Sequence, residues 1–500
     1  MSTRDCQDCR LHPRRTFLAD TGMGFTGLAL GAMLQRDGIV RGATTMASVR
    51  PAAPDGGPHF QPRAKSVIWL FMAGGVSQME SFDPKPEINK YDGKTFKDTP
   101  HEDFLKSPLI KSTVRTLGKS GISFPPKIMG MQVGYKQYGQ SGVAVSDWFP
   151  HLGSCVDELA IIRSMWTSDQ NHIGQLLMHN GKHRLDGLAP SLGAWVHYGL
   201  GALTDNLPQY VVLGRPLNQV FGGSKAHRAD YLGAAHSGVP LKVDPDDPLP
   251  FASPGSEYYL EEHQRKFDLL GELNRMNDVE YPDDAALRAR IRSYELAFRM
   301  QFAVPEVMRL RDETRETLDL YGVDTKKTKE FGRQCLVARR LVERGVRFVQ
   351  IYHGTPGGGG SWDSHTNVKK SHSRVAKQVD QPVAALIKDL KRRGLLDETL
   401  VVWTTEFGRT VGRSNDGAGQ GRDHSPFGFC VWMAGGGIKP GVIHGATDEL
   451  GMFAVEKRQY VTDLHATVLH QLGIDPRRLD IPGRKRIEVD YGHPIKEILA

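Results

Sequence analysis

Ser66-Val67-Ile68-Trp69-Leu70-Phe71-Met72, followed at once by Gly74-Gly75, decides the fold class. A strand with one wet face alternates apolar and polar residues. This one is apolar almost throughout, as a strand buried on both faces of a parallel sheet must be, and the glycines end it in a loop. Working outward, Leu159–Met165, Tyr210–Leu213, Arg347–Tyr352, Leu400–Thr405 and Phe429–Met433 have the same texture. Between them the apolar period changes to that of helices. Ile173–Met178 is a short helical run, and Leu260, Phe267, Leu270 and Leu273 recur at helical spacing. Phe331, Leu336, Leu341 and Val342 lead to Gly345, which suits a C-cap. Val375–Leu390 precedes one strand, and a capped helix over Thr462–Leu469 ends near Gly473. Strands alternating with helices predict an α/β fold with a mainly parallel central sheet and helices on both faces.

The stretch from Asp83 to Val145 is mixed and reads as loops with short elements. Residues 216–254 are irregular and turn-rich, as in Asp244-Pro245-Asp246-Asp247-Pro248. Residues 257–344 are helical in texture. The expected organisation is a single domain over residues 63–500 carrying a mixed, partly helical insertion at about 215–344.

The chain has 500 residues, enough to bury a large core without disulfides. Its net charge of +7 is spread along the sequence, with no basic run of five and no aromatic-basic module, so nothing points to nucleic acid. Cys155, Cys335 and Cys430 sit among apolar residues and read as small hydrophobes. Cys6 and Cys9 form a Cys-x-x-Cys pair, but they fall inside an address segment. There Arg14-Arg15-Thr16-Phe17-Leu18 precedes the uncharged run Thr21–Leu34. A basic stretch before a short, mildly apolar one has the layout of a secretory signal, and the paired arginines resemble a twin-arginine export signal. The run is too short for a stable membrane span. Residues 1–47 are therefore expected to be a signal peptide ending near Thr45-Met46-Ala47. Residues 48–62 follow as a flexible lead-in, and the expected location is periplasmic or otherwise exported, with the export machinery as a partner.

Chemistry concentrates in the last third. Trp362-Asp363-Ser364-His365 follows one strand, Glu406-Phe407-Gly408-Arg409 follows another, and Arg422-Asp423-His424 precedes a third. Carboxylates and imidazoles at strand ends are what an open α/β sheet uses to hold a metal or reactive group. Asp363 and His365 are two apart, so extended backbone points both to one side. With His424 closing over them and Glu406 as a further carboxylate, the expected ligands of a divalent ion (Zn, Ca, Mg or Mn) are Asp363, His365, Glu406 and His424. Asp363, His365 and His424 should converge within about 5 Å for a shared ion. Glu406 also suits a general base, and the Arg409 fork an anionic substrate.

Gly74-Gly75-Val76-Ser77-Gln78-Met79-Glu80-Ser81-Phe82-Asp83-Pro84-Lys85-Pro86, taken with these later motifs, resembles the bacterial domain of unknown function 1501 family over nearly the whole chain. That resemblance implies a sulfatase-like protein of the alkaline-phosphatase-like superfamily, with metals at strand carboxyl ends. It implies that Asp363 and His365 are ligands of one metal and His424 the late histidine ligand. It also puts Thr405-Glu406 where an Asp-His pair holds a second metal, and Asn171-His172 where the nucleophile stands. With Glu406 and Arg409, Asn171 and His172 complete the expected catalytic set. Two features depart from the pattern. Gly74-Gly75 stands where the first strand supplies an aspartate, and no Cys-x-Pro-x-Arg is present; Ser164, Thr167 and Ser168 form no recognisable replacement. Two functions follow as expectations: a metal-dependent hydrolase of phosphate or sulfate esters, or a catalytically degenerate envelope protein that binds anionic glycans.

Overall fold

Val67 to Met72 are all buried, and their side chains divide by parity between two separate cores. Ile68, Leu70 and Met72 enter one; Val67, Trp69 and Phe71 enter the other. The predicted two-sided burial of this strand is what the computed structural model shows. Each such side chain contributes roughly 1.5–3 kcal/mol when fully buried. The structure describes residues 56–113, 115, 127–249, 265–269, 271–273, 285–354, 359–414, 419–479, 481 and 492–500. The signal-like segment 1–47, with Cys6 and Cys9, lies outside them, as do Leu260 and Leu270 of the helical pattern.

The strands along the chain are β1 (Ser66–Met72), β2 (Tyr135–Tyr138), β3 (Val143–Ser146), β4 (Leu159–Trp166) and β5 (Tyr210–Leu213). Then come β6 (Val239–Leu241), β7 (Phe348–His353), β8 (Thr399–Thr404), β9 (Gly408–Arg413) and β10 (Arg422–Ser425). The last are β11 (Phe429–Ala434), β12 (Val442–His444), β13 (Ala446–Thr447), β14 (Ala454–Glu456) and β15 (Gln459–Tyr460). One large sheet has the order β12-β4-β11-β8-β1-β7-β5-β6, with β15 also pairing β4. Its pairings are parallel except those of β11, which runs against both β4 and β8.

All six strands expected from apolar runs belong to this sheet. Helices Lys329–Glu343 and Val368–Arg392 pack on one face; Leu192–Leu200 and Val461–Gln471 pack on the other. The fold is thus a mainly parallel α/β sheet covered on both faces, as expected. Residues 216–249 form a chain of single 3₁₀ turns and the short β6. Helix Lys329–Glu343 ends as anticipated, with Gly345 at φ 86°. Cys155, Cys335 and Cys430 are buried, and burial pushes the Cys155 thiol up to about 12. Such thiols are inert at neutral pH.

Central β1 ends between β7 and β8, with Met72 paired to His353 and Phe71 to Thr404. The loops leaving β1, β4, β7 and β8 therefore emerge along one edge of the sheet. That edge carries the site.

Candidate metal centre

β4 leads to a 3₁₀ turn, His172–Gly174, and a short helix, Gln175–Asn180. The Asn171 side chain caps this turn by accepting from the Ile173 N–H, and the turn aims His172 inward. β7 leads through the glycine loop to Asp363 and His365. β10 supplies His424. It is a strand paired antiparallel with β9.

One ligand atom from each of His172, Asp363, His365 and His424 lies within 4.8 Å of all the others. Asp363 Oδ1 is 3.1 Å from His365 Nε2 and 3.3 Å from His424 Nε2. Asp363 Oδ2 is 3.2 Å from His172 Nε2, and the His365 and His424 Nε2 atoms are 3.0 Å apart.

The outward nitrogens fix two tautomers. His172 Nδ1 is 2.9 Å from Glu406 Oε1, and His424 Nδ1 is 2.8 Å from the Gln170 carbonyl. A carboxylate and a carbonyl can only accept, so both Nδ1 atoms carry the hydrogen. In the neutral rings the Nε2 lone pairs therefore face Asp363; burial opposes protonation of His172, but Asp363 and Glu406 outweigh it and raise its pKa, so a proton competes with a metal ion for His172 Nε2. Lone pairs turned on an anion repel unless a cation lies between them. Three imidazoles and a carboxylate form a donor set suited to zinc. Four separations of 3.0–3.3 Å approach the roughly 3.3–3.4 Å edges of a tetrahedron whose ligands lie about 2.0–2.1 Å from the metal, within a set that spans up to 4.8 Å. The residues fit a divalent ion.

Burial opposes ionisation of Asp363, but His172, His365, His424 and Arg409 outweigh it and hold its carboxyl far below the usual range. Burial pushes His424 down to about 3, which keeps its ring neutral and ligand-competent. The ring of Phe407 packs on both His172 and His424 and helps to keep water out.

The expected site residues sort into two layers. Asp363, His365 and His424 converge as anticipated, within 4.8 Å. His172 joins them as a fourth donor rather than standing as a nucleophile. Glu406 lies behind the donors and is fully buried. It accepts from His172 and, at 2.8 and 3.1 Å, from the Gly74 N–H, so it orients a ligand instead of being one. Arg409 is also fully buried. It donates to the carbonyls of Gly74, Gly75, Trp362 and Arg422 and, at 2.8 Å, to Asp363 Oδ1. A fork so engaged is a brace beneath Asp363 and has no reach toward an incoming anion. Asn171 is exposed and shapes the turn. The helix after it is only six residues long, too short to offer the anion-binding N-terminus its position suggested.

The missing first-strand aspartate has a physical reason. Gly74 has φ 124°, and a Cβ there would collide with the Trp362–Asp363 backbone. Glu406 fills the neighbouring space through the Gly74 N–H. Ser164 Oγ donates to the Lys457 carbonyl, and Ser168 bonds Tyr460. Thr167 Oγ1 is buried without a hydrogen-bond partner.

Fold and site together describe an α/β protein with a cluster of three histidines and an aspartate, able to hold a cation, at the carboxyl edge of its sheet. Residues 64–499 match the family described as protein of unknown function DUF1501, and the chain belongs to it. No curated protein matches the sequence. Among solved structures, a phosphonate monoester hydrolase from Silicibacter pomeroyi is similar at 10% identity and TM-score 0.34, over 70% of this chain and 71% of that one. The zinc complex of the C-terminal periplasmic domain of EcEptC from Escherichia coli is similar at 11% and 0.35, over 89% and 94%. The PsFucS1 sulfatase from Pseudoalteromonas sp. is similar at 12% and 0.32, over 82% and 68%. These likenesses are slight.

Proposed function

We propose that this protein is an exported, metal-dependent hydrolase of phosphate or sulfate esters. The observation that carries the proposal is the convergence of the His172, His365 and His424 Nε2 atoms on Asp363, with two of the rings held in place through Nδ1 by an acceptor behind them. A divalent ion held there would polarise an ester oxygen and lower the pKa of a bound water. The protein's part is to keep the donors in place. Glu406 fixes the His172 ring, Arg409 steadies the Asp363 carboxylate, and Phe407 limits water.

Export is proposed from Arg14-Arg15-Thr16-Phe17-Leu18 and the uncharged run behind it, with residues 1–47 as the signal peptide. No helix among the described residues is long and apolar enough to cross a membrane. The proposed partners are an ester substrate, small or glycan, and the twin-arginine machinery. Nucleic acid is not among them.

The test is elemental analysis of the purified mature protein together with turnover of p-nitrophenyl phosphate and p-nitrophenyl sulfate. The expected outcome is about one divalent ion per chain and turnover that disappears in His424→Ala. A protein that holds no stoichiometric metal and is unaffected by His365→Ala would overturn the proposal.

A second reading, an envelope protein that binds anionic glycans without turning them over, is favoured by one observation. Gly74 leaves no room for a first-strand ligand, so the second ion of a two-ion clamp has no support from β1. Stoichiometric metal without turnover of either ester would select it.

A further inference from the structure

A second feature of the same sheet edge is used by none of this chemistry. Beyond the carboxyl ends of β5, β6 and β7 lies a cavity of about 740 Å³. It is within the roughly 300–1,000 Å³ typical of pockets that take a discrete ligand. Arg215, Lys326, Lys327, Lys329, Arg333 and Arg374 line it, with Glu330 as the acidic exception. Lys242 also lines it but is paired with Asp247. None of the six forms an ion pair among the described residues, and the Nε of Arg333 is buried with no hydrogen-bond partner.

Arg215, Lys326, Lys327, Lys329 and Arg374 are exposed, so solvent screens part of their mutual repulsion, but six cations against one carboxylate still give the cavity a positive field that a bound polyanion relieves. The chain's overall charge of +7 on 500 residues does not predict such a concentration. Ser361 lies on the cavity wall, two residues before Asp363. Two residues span at most about 7 Å, so one loop both borders the cavity and carries a donor of the metal centre. The aromatic lining residues, Phe331 and Tyr352, are buried. They offer no platform for stacking bases, which single-stranded nucleic acid requires.

We propose that this cavity is a binding site for a compact ligand bearing several sulfate or phosphate groups. The site stands whether or not the neighbouring metal centre turns esters over.

Sucrose octasulfate and inositol hexakisphosphate serve as probes in titration calorimetry of the mature protein, and their separate affinities distinguish sulfate from phosphate. The expected result is one-to-one binding of at least one probe. Affinity should fall tenfold or more in Lys327→Glu/Arg333→Gln/Arg374→Gln, with metal content unchanged, and His424→Ala should bind the probe as the parent does. Arg374→Gln alone, an exposed position, should weaken binding two- to fivefold and guards against a triple variant that fails to fold. Three results would overturn the site: no binding of either probe, equal binding by the folded triple variant, or equally tight binding of a single-stranded oligonucleotide of matching charge.

Discussion

Glu406 and Arg409 illustrate how residue type and residue role separate. Both were legible as functional candidates because each follows a strand end, but sequence gives no depth. Depth is set by which side chains share the space between β1 and β8, and there Gly74 lets Glu406 reach back to the main chain. Glu406→Gln keeps the shape while removing the charge behind His172. Replacing such partners typically costs 10–100-fold in metal affinity. Zinc affinity measured by chelator competition should fall within that range while the fold is kept; an unchanged affinity would show that Glu406 does not tune His172. Arg409→Met should act on stability instead. It removes five donor contacts and leaves Asp363 less compensated, and breaking a buried pair costs about 3–5 kcal/mol. Urea unfolding of the metal-free protein should show that loss, and an effect under about 1 kcal/mol would contradict the bracing role.

At the scale of elements, the centre depends on a tie that no motif discloses. The Arg422 N–H donates to the Ser364 carbonyl, and the Val368 N–H donates to that of Gln420, both at 3.0 Å. These bonds join the start of β10 to the segment 363–368 and bring His365 and His424 together across 58 intervening residues. Gly421 sits in the join, where a Cβ would collide with the His365 carbonyl. Gly421→Ala should therefore weaken metal binding at least tenfold through displacement of His365, although it touches no ligand side chain; titration with zinc checks this. Asp363 and His365 were readable as a pair because alternation alone points them together, while Ser364 turns away to His372. The long opening motif was readable only as a signature. Its Glu80 meets Arg422 in a fully buried pair at 2.8 Å, and its Gln78 donates to the carbonyls of Arg409 and Gly451. The motif thus clasps the β9–β10 hairpin and contributes no group to the donor set.

For the whole molecule, the sheet was legible because burial on both faces writes itself as continuous apolarity. The edge strands β6, β12 and β15, two or three residues each, are too short to leave a period. Burial also explains a charge cluster remote from the site. Arg339 lies 2.6 Å from Glu313 and 3.1 Å from Asp389, and Arg340 lies 2.5 Å from Glu313. Burial alone would raise both acids, but the arginines outweigh it and both carboxyls are held below their ordinary values. A carboxylate whose folded pKa is depressed contributes stability that is complete above its unfolded pKa, about 4 for these groups, and that disappears as pH falls through the folded value. This cluster joins helices Lys329–Glu343 and Val368–Arg392, on which one core rests. The metal-free protein should therefore begin to lose stability below about pH 6.5, where the unfolded chain protonates histidines that the fold buries neutral, His424, His353 and His465 among them, and lose it more steeply below about 4. Glu313→Gln should lower the midpoint at pH 7 and flatten the limb below about pH 4, because Arg339 and Arg340 lose a charged partner at neutral pH and the glutamine has nothing to titrate. An acid limb as steep in Glu313→Gln as in the parent would mean that other carboxylates, Asp363 among them, carry the acid sensitivity.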